Sequence, residues 1–252
     1  MILIVCDDDD LSAAWAADML SARGLAPTLL TGRDLADVTH WRHSVAADGR
    51  ASLELRLGDG RTLRSDDVSG VLNRLTSVPW SWLSRLGGPD VRYAAQELHA
   101  LFLSWLQGLP GPMLNRPTPQ GLCGNNRHPS AWVALAARAG LPVAPYRQTS
   151  ADDPAELWSS PYPAASRSVV AIAGRAIGDA DLIAAWGEAC VRLSAMSGCA
   201  LLGVDFAEID RGWRFAAATP SPYLASGGPA LADALAEALC PAPERAPMAA
   251  AG

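Results

Sequence analysis

The run MILIVCDDDDLSAAWAADMLSARGLAPTLL, residues 1–30, decides the fold class. Residues 1–6 are continuously apolar, and a short strand without polar alternation is one buried on both faces. Four aspartates, Asp7 to Asp10, end that run. The apolar spacing then changes to a helical period over LSAAWAADMLSARG, with Gly24 as its stop. APTLL supplies a second short strand, so the chain opens as β-α-β, the unit from which parallel sheets are built.

The alternation continues downstream. ASLELRL (51–57) and RTLR (61–64) flank GDG and read as a hairpin, and GVLNRL (70–75) reads as a further strand. RYAAQELHALFLSWLQGL (92–109) has the apolar spacing of an amphipathic helix. PMLN (112–115) is a short strand, and SAWVALAARAG (130–140) a helix ended by Gly140. The segment SADDPAELWSSPYPAAS (150–166) is rich in proline and poor in large aliphatics, the composition of a linker or exposed loop. Beyond it the pattern gives a strand and hairpin over SVVAIAGRAIGD and a helix from about 180 to 197. Two strands then flank DRG at 210–212, and a last helix lies near 229–239. Residues 241–252, PAPERAPMAAAG, have the composition of a disordered tail. This order predicts an α/β layer architecture.

Half of the 252 residues are apolar, enough for a substantial core. A formal net charge of −6 argues against a sequence-independent hold on nucleic acid or on an anionic membrane surface. No apolar run approaches the roughly eighteen residues of a membrane-spanning helix. Five scattered cysteines, with no secretory signal before them, point to free thiols in a reducing cytoplasm. All twenty residues counted as Lys+Arg are arginine. Every lysine-dependent mechanism is thereby removed.

Several residues invite a chemical reading. Asp7 to Asp10 stand where a first strand meets a first helix, a usual ligand position in open α/β sheets. They read either as a site for a cation or basic peptide or as a helix cap, and negative charge at a helix start favours the cap. His128 reads as a helix-start residue before Pro129. His40 and His43 in THWRHS lack the further ligand that zinc needs. Cys190 and Cys199 have no basic cluster beside them and read as packed thiols. Trp80 and Trp82 in VPWSWLSRL, in a loop, are candidates for an interface, since tryptophan is favoured at binding hot spots. Trp105 reads as core.

The run MLNRPTPQGLCGNNRHPSAWVALAARAGLPVAPYRQTS (113–150) resembles the opening of an ATP-grasp ligase of the ribosomal-protein S6 modification and microviridin-ligase type. LLGVDFAEIDRGWRFAAATPSPYL (201–224) resembles the same family's Gly-x-Asp strand and its return strand. The first 120 residues look like its Rossmann-like pre-ATP-grasp α/β domain, and residues 121–240 look like a reduced ATP-grasp α+β domain. The resemblance implies ATP held between two subdomains, a lysine at the position of Arg127, and magnesium carried by acidic residues. It also implies the departures. Arg127 stands for the first lysine, a second lysine has no counterpart, and the nucleotide-binding middle is reduced to residues 150–166. Asp205 matches a metal ligand, but Ala217 stands at the glutamate position and Thr219 at the asparagine position. Magnesium wants an oxygen shell with one or two carboxylates plus phosphates, and this set is poor in them.

Two readings follow. The first is a degenerate, catalytically inactive relative that needs no cofactor. It would work by binding a protein partner, a second copy of itself, or a peptide or carboxylate ligand, as an accessory subunit in peptide modification or natural-product assembly. Arg74, at a strand end that faces the family's substrate cleft, and Arg127 are its candidate anion-binding residues. The alternative is a minimal ATP- and magnesium-dependent carboxylate-amine ligase, with Arg127, Asp205 and Glu208 or Asp210 rebuilding a reduced site.

Overall fold

A computed structural model of the protein describes residues 1–49, 51–79, 90–144, 146, 166–209 and 211–240. Strand β1 (Ile2–Cys6) leads through helix α1 (Leu11–Ser21) to β2 (Pro27–Thr31), which runs parallel to it, followed by the short helix α2 (Gly32–Ala36). An antiparallel three-stranded sheet follows, made of β3 (His40–Val45), β4 (Ala51–Arg56) and β5 (Thr62–Arg64). The chain then returns to the first sheet as β6 (Gly70–Arg74), crosses over through helix α3 (Asp90–Gly108), and adds β7 (Met113–Leu114). The first sheet is therefore parallel, in the order β2-β1-β6-β7.

Helix α4 (Pro129–Ala139) opens the second half and ends at Gly140, whose φ of 87° is the left-handed cap that glycine adopts without a Cβ penalty. β8 (Ser166–Ile172), β9 (Arg175–Gly178), helix α5 (Ala180–Ser197), β10 (Leu201–Ile209) and β11 (Gly212–Thr219) follow, and helix α6 (Gly228–Leu239) closes the described chain. The four strands form one antiparallel sheet in the order β11-β10-β8-β9. After α4 the chain lies along β11, where Phe215 donates its backbone N–H to the carbonyl of Pro142 at 2.7 Å. The structure is thus the mixed α/β architecture read from the pattern.

Two elements are additions to that reading. Residues 40–45 form β3, although only Trp41 and Val45 among them are large and apolar. Side chains alternate along a strand, so His40 and His43, three apart, point to opposite faces and do not form one metal site. Residues 32–36 form α2, opened by a capping box between Thr31 and Asp34. The linker reading of 150–166, Ser166 excepted, and the tail reading of 241–252 concern residues outside those described.

The core comes in three clusters. One fills the space between the first sheet, the three-stranded sheet and α3, where Trp41, Phe102 and Trp105 pack with ring centroids 5.2–5.6 Å apart. Another holds α4 and α5 against the second sheet through Trp132, Leu193, Val204 and Phe206. The last belongs to both halves: Ile2, Ile4 and Leu72 of the first sheet meet Val170, Ile172, Leu231, Leu235 and Leu239. At this seam Gly70 lies so close to α6 that a Cβ there would come 2.3 Å from the carbonyl oxygen of Leu239.

Buried amides lock the same seam. Asn115, only 1% exposed, donates from Nδ2 to the carbonyls of Leu201 (2.7 Å) and Pro220 (3.0 Å) and accepts from the Leu201 N–H at 2.8 Å. Asn73, at the end of β6, donates to the carbonyls of Asn115 and Leu122 at 2.9 and 2.7 Å. Removing one partner of a buried hydrogen bond leaves the other desolvated, which costs more than the bond contributes. Asn115→Ala is therefore expected to cost about 3 kcal/mol or more. Thermal unfolding should show this as a midpoint roughly 6–12 °C lower. A midpoint within a degree or so of the parent would refute the clamp.

Candidate functional site

The carboxyl ends of β1 and β6 carry the four aspartates and Arg74. Asp10 caps α1 by accepting from the N–H groups of Ser12 and Ala13 at 2.9 and 3.0 Å. The same carboxylate takes a forked contact from Arg74, with Nε at 2.6 Å and Nη2 at 3.1 Å. The remaining Arg74 terminal nitrogen, Nη1, donates to the Pro222 carbonyl at 3.0 Å. Asp8 accepts the Arg33 N–H at 2.6 Å, and Asp7 accepts both the N–H and the hydroxyl of Thr76. The cap reading of the tetrad is what the geometry shows, with Asp10 in that role.

Arg74 departs from expectation. It is 4% exposed and paired with Asp10, so it does not present a free guanidinium to a cleft. The reason is local: the helix cap places a carboxylate directly beside the end of β6, and an arginine buried there needs that charge.

Arg127 lies at the start of α4, half-buried. One terminal nitrogen donates to the Ser197 carbonyl at 3.3 Å, and the guanidinium lies 5.9 Å from the centre of the Trp132 ring. Its Nε is buried without a hydrogen-bond partner. Asn125 also reaches Ser197 O, at 2.7 Å. The pair therefore tethers the loop to the carboxyl end of α5, where the helix dipole favours positive charge. His128 caps α4, its Nδ1 accepting from the Ser130 N–H, in the structural role read for it.

Asp205 sits in β10 with Ser168 on one side and Ala217 on the other, in direct strand register with both. The Ser168 hydroxyl donates to Asp205 Oδ1 at 2.6 Å. The register thus puts an alanine methyl where a second carboxylate would have to stand. Glu208 is exposed and paired with Trp213, farther along the strand. Among the described residues no three His, Cys, Asp or Glu side chains gather in a group able to hold a metal ion. A magnesium nucleotide does not fit this donor set. No hydrogen bond or ion pair joins Arg74, Arg127 and Asp205 to one another among the described residues. Trp80, Trp82 and Asp210 lie outside those residues.

Sequence reasoning missed Asn73 and Asn115, which it read as plain strand ends. The available signal was a polar amide closing each of two otherwise apolar runs, GVLN and PMLN. It also missed a pocket of about 250 Å³ between the loops that these amides hold, lined among others by His99, Asn126, Thr219 and Ser221.

Four of the five thiols are shielded by burial. Burial, aided by the Asp10 and Asp7 carboxylates, pushes Cys6 up to about 12. Burial likewise pushes Cys123 up to about 11 and Cys190 up to about 12. Cys240 is the exposed thiol of the five.

Two outcomes are expected. A maleimide at neutral pH should label one thiol in the native protein and five after denaturation. Since the buried thiols hold their protons more tightly folded than unfolded, stability should also fall as pH rises from about 9 toward 12; labelling of several native thiols would contradict the packing. Arg74→Met should cost about 3 kcal/mol or more by stranding Asp10. Asp10→Asn, which keeps the cap, should cost little further in that background; simple additivity of the two would show that the bridge is not the source.

No family model matches the sequence, and no curated protein matches it. Solved structures do match its fold. The macrocyclase MdnC from Microcystis aeruginosa MRC, bound with precursor peptide MdnA, is 15% identical with a TM-score of 0.69, covering 94% of this chain and 98% of that one. A RiPP-associated ATP-grasp ligase from Chryseobacterium gregarium, in complex with ADP and a leader and core peptide, is 11% identical with a TM-score of 0.64, covering 95% and 96%. A RimK domain ATP-grasp protein from Sphaerobacter thermophilus DSM 20745 is 12% identical with a TM-score of 0.50, covering 95% and 99%. Over nearly its whole length, this protein has the fold of these ATP-grasp ligases.

Proposed function

We propose that the protein uses an ATP-grasp fold to bind a peptide rather than to transfer phosphate, acting as an accessory subunit beside a peptide-modifying enzyme. The observation that carries this reading is the strand register that sets Ala217 opposite Asp205. Phosphoryl transfer proceeds by positioning and by neutralising phosphate charge, and one carboxylate hydrogen-bonded to a serine supplies little of either. The other features agree. Arg74 is neutralised by Asp10, Arg127 is tied to the end of α5, and no lysine exists to replace them. The peptide assignment draws on the structural neighbours, two of which are bound to precursor, leader or core peptides. Interleaved sheets that outlast a catalytic site still offer a shaped surface, and a partner or a second copy would cover it.

The alternative reading, a minimal ATP-dependent carboxylate-amine ligase, is distinguished by one experiment. Thermal unfolding is followed with millimolar Mg-ATP and with EDTA. A ligand at a hundred times its dissociation constant adds about 2.7 kcal/mol, several degrees for a chain of this size. No magnesium-dependent rise is expected. Ala217→Glu, which returns a carboxylate to the position opposite Asp205, should gain a magnesium-dependent rise that the natural chain lacks. A clear Mg-ATP shift in the natural chain would establish the ligase reading instead.

A further inference from the structure

The polar pocket between the two halves is a built site. One wall is the loop from Thr118 to Gly124, closed by reciprocal backbone bonds between Thr118 and Gly121 at 2.9 and 3.0 Å and anchored where Asn73 donates to Leu122 O. This loop is tight enough that a Cβ on Gly121 would come 2.6 Å from the Gly124 carbonyl oxygen. The opposite wall, Thr219 to Ser221, is pinned by Asn115 through Pro220 O and by the Ser221 N–H on Thr219 Oγ1 at 3.1 Å. The third, Thr76, is fixed to Asp7. Pre-organised walls spare a ligand the entropy of ordering them.

Polar, solvent-accessible residues line this fixed frame. His99, Gln120, Asn126 and Ser221 line the pocket, and their side chains make no hydrogen bond among the described residues. Together they offer both donors and acceptors. Charge is the deciding property. No arginine, aspartate or glutamate is among the lining residues, and Arg74, two positions before Thr76, is already engaged by Asp10 and Pro222. Asp7 stands behind Thr76 with its carboxylate engaged. Cys123 at the pocket is a neutral thiol, pushed up to about 11 by burial. A carboxylate placed here would find no arginine among the lining residues to offset its desolvation, whereas a group with an N–H₂ and a carbonyl would meet partners for both.

We propose that this pocket binds a neutral carboxamide, the side chain of a glutamine or asparagine, and rejects the corresponding carboxylate. The proposal rests on the peptide-binding reading only for the source of that side chain. The pocket holds about 250 Å³, room for one such side chain rather than for a nucleotide.

The test uses two single-residue probes, N-acetyl-glutamine N-methylamide and N-acetyl-glutamate N-methylamide, which differ only in the side-chain group, titrated into the full chain labelled with ¹⁵N. The glutamine derivative should shift the resonances of Asn126, Thr219 and Ser221 along a saturating curve. The glutamate derivative should bind at least about tenfold more weakly. Asn126→Leu and Ser221→Ala, both at the surface, should each weaken the glutamine derivative severalfold without moving the thermal midpoint. The idea is overturned if neither probe shifts these resonances, if the two bind equally, if the shifts lie elsewhere, or if both variants bind as the parent does. Because the probes contain no peptide scaffold, their failure removes the pocket and leaves peptide binding intact. A Mg-ATP response would do the reverse.

Discussion

Two buried asparagines hold the molecule's halves together, and most other features follow from that arrangement. A primary amide carries two donors and an acceptor with two lone pairs, so one side chain can satisfy several backbone groups where no secondary structure reaches them. Asn115 does this between β7, β10 and the segment after β11; Asn73 does it between β6, the Asn115 backbone and the loop before α4. Such groups are costly if any partner is missing and rigid when all are present. Arg74 and Asp10 extend the network outward to Pro222 and the start of α1. The carboxyl edge of the first sheet, ordinarily where an α/β protein keeps its ligand, is here consumed in holding the chain to itself.

That use of the edge explains how a fold can keep its shape while the composition of its site changes. Ala217 contributes the same β pairing with Asp205 that any residue would, because ladder hydrogen bonds belong to the backbone. Arg127 similarly finds a carbonyl at the end of α5. Architecture and function are separable quantities at such positions, and the low identity to the structural neighbours is compatible with a shared fold for the same reason.

Much of the fold was legible because its elements differ in period. The apolar run of residues 2–6 and the spacing in α3 and α5 each match one template, and Gly140 and Gly198 stop their helices in the left-handed conformation that glycine alone adopts freely. β3 was not legible, since its inward positions hold a tryptophan and a histidine rather than aliphatics, and α2 is too short to show a period. The site was legible as types and not as geometry. Asp205 and Ala217 were singled out by the resemblance to the ATP-grasp ligases, and their direct opposition is a matter of register. Arg74 was singled out for its strand end, but nothing local in the sequence says that Asp10, 64 positions earlier, would neutralise it.

The shared core cluster ties the order of synthesis to the order of folding. Ile2, Ile4 and Leu72 pack against Leu231, Leu235 and Leu239 of the last described helix. A ribosome delivers the amino-terminal strand first, and domains generally fold as units while the rest is still being made. Here α1 covers part of that face of the first sheet, and the rest stays open until residues 228–239 have emerged. The packing of β1 is therefore completed only by a helix made long after it.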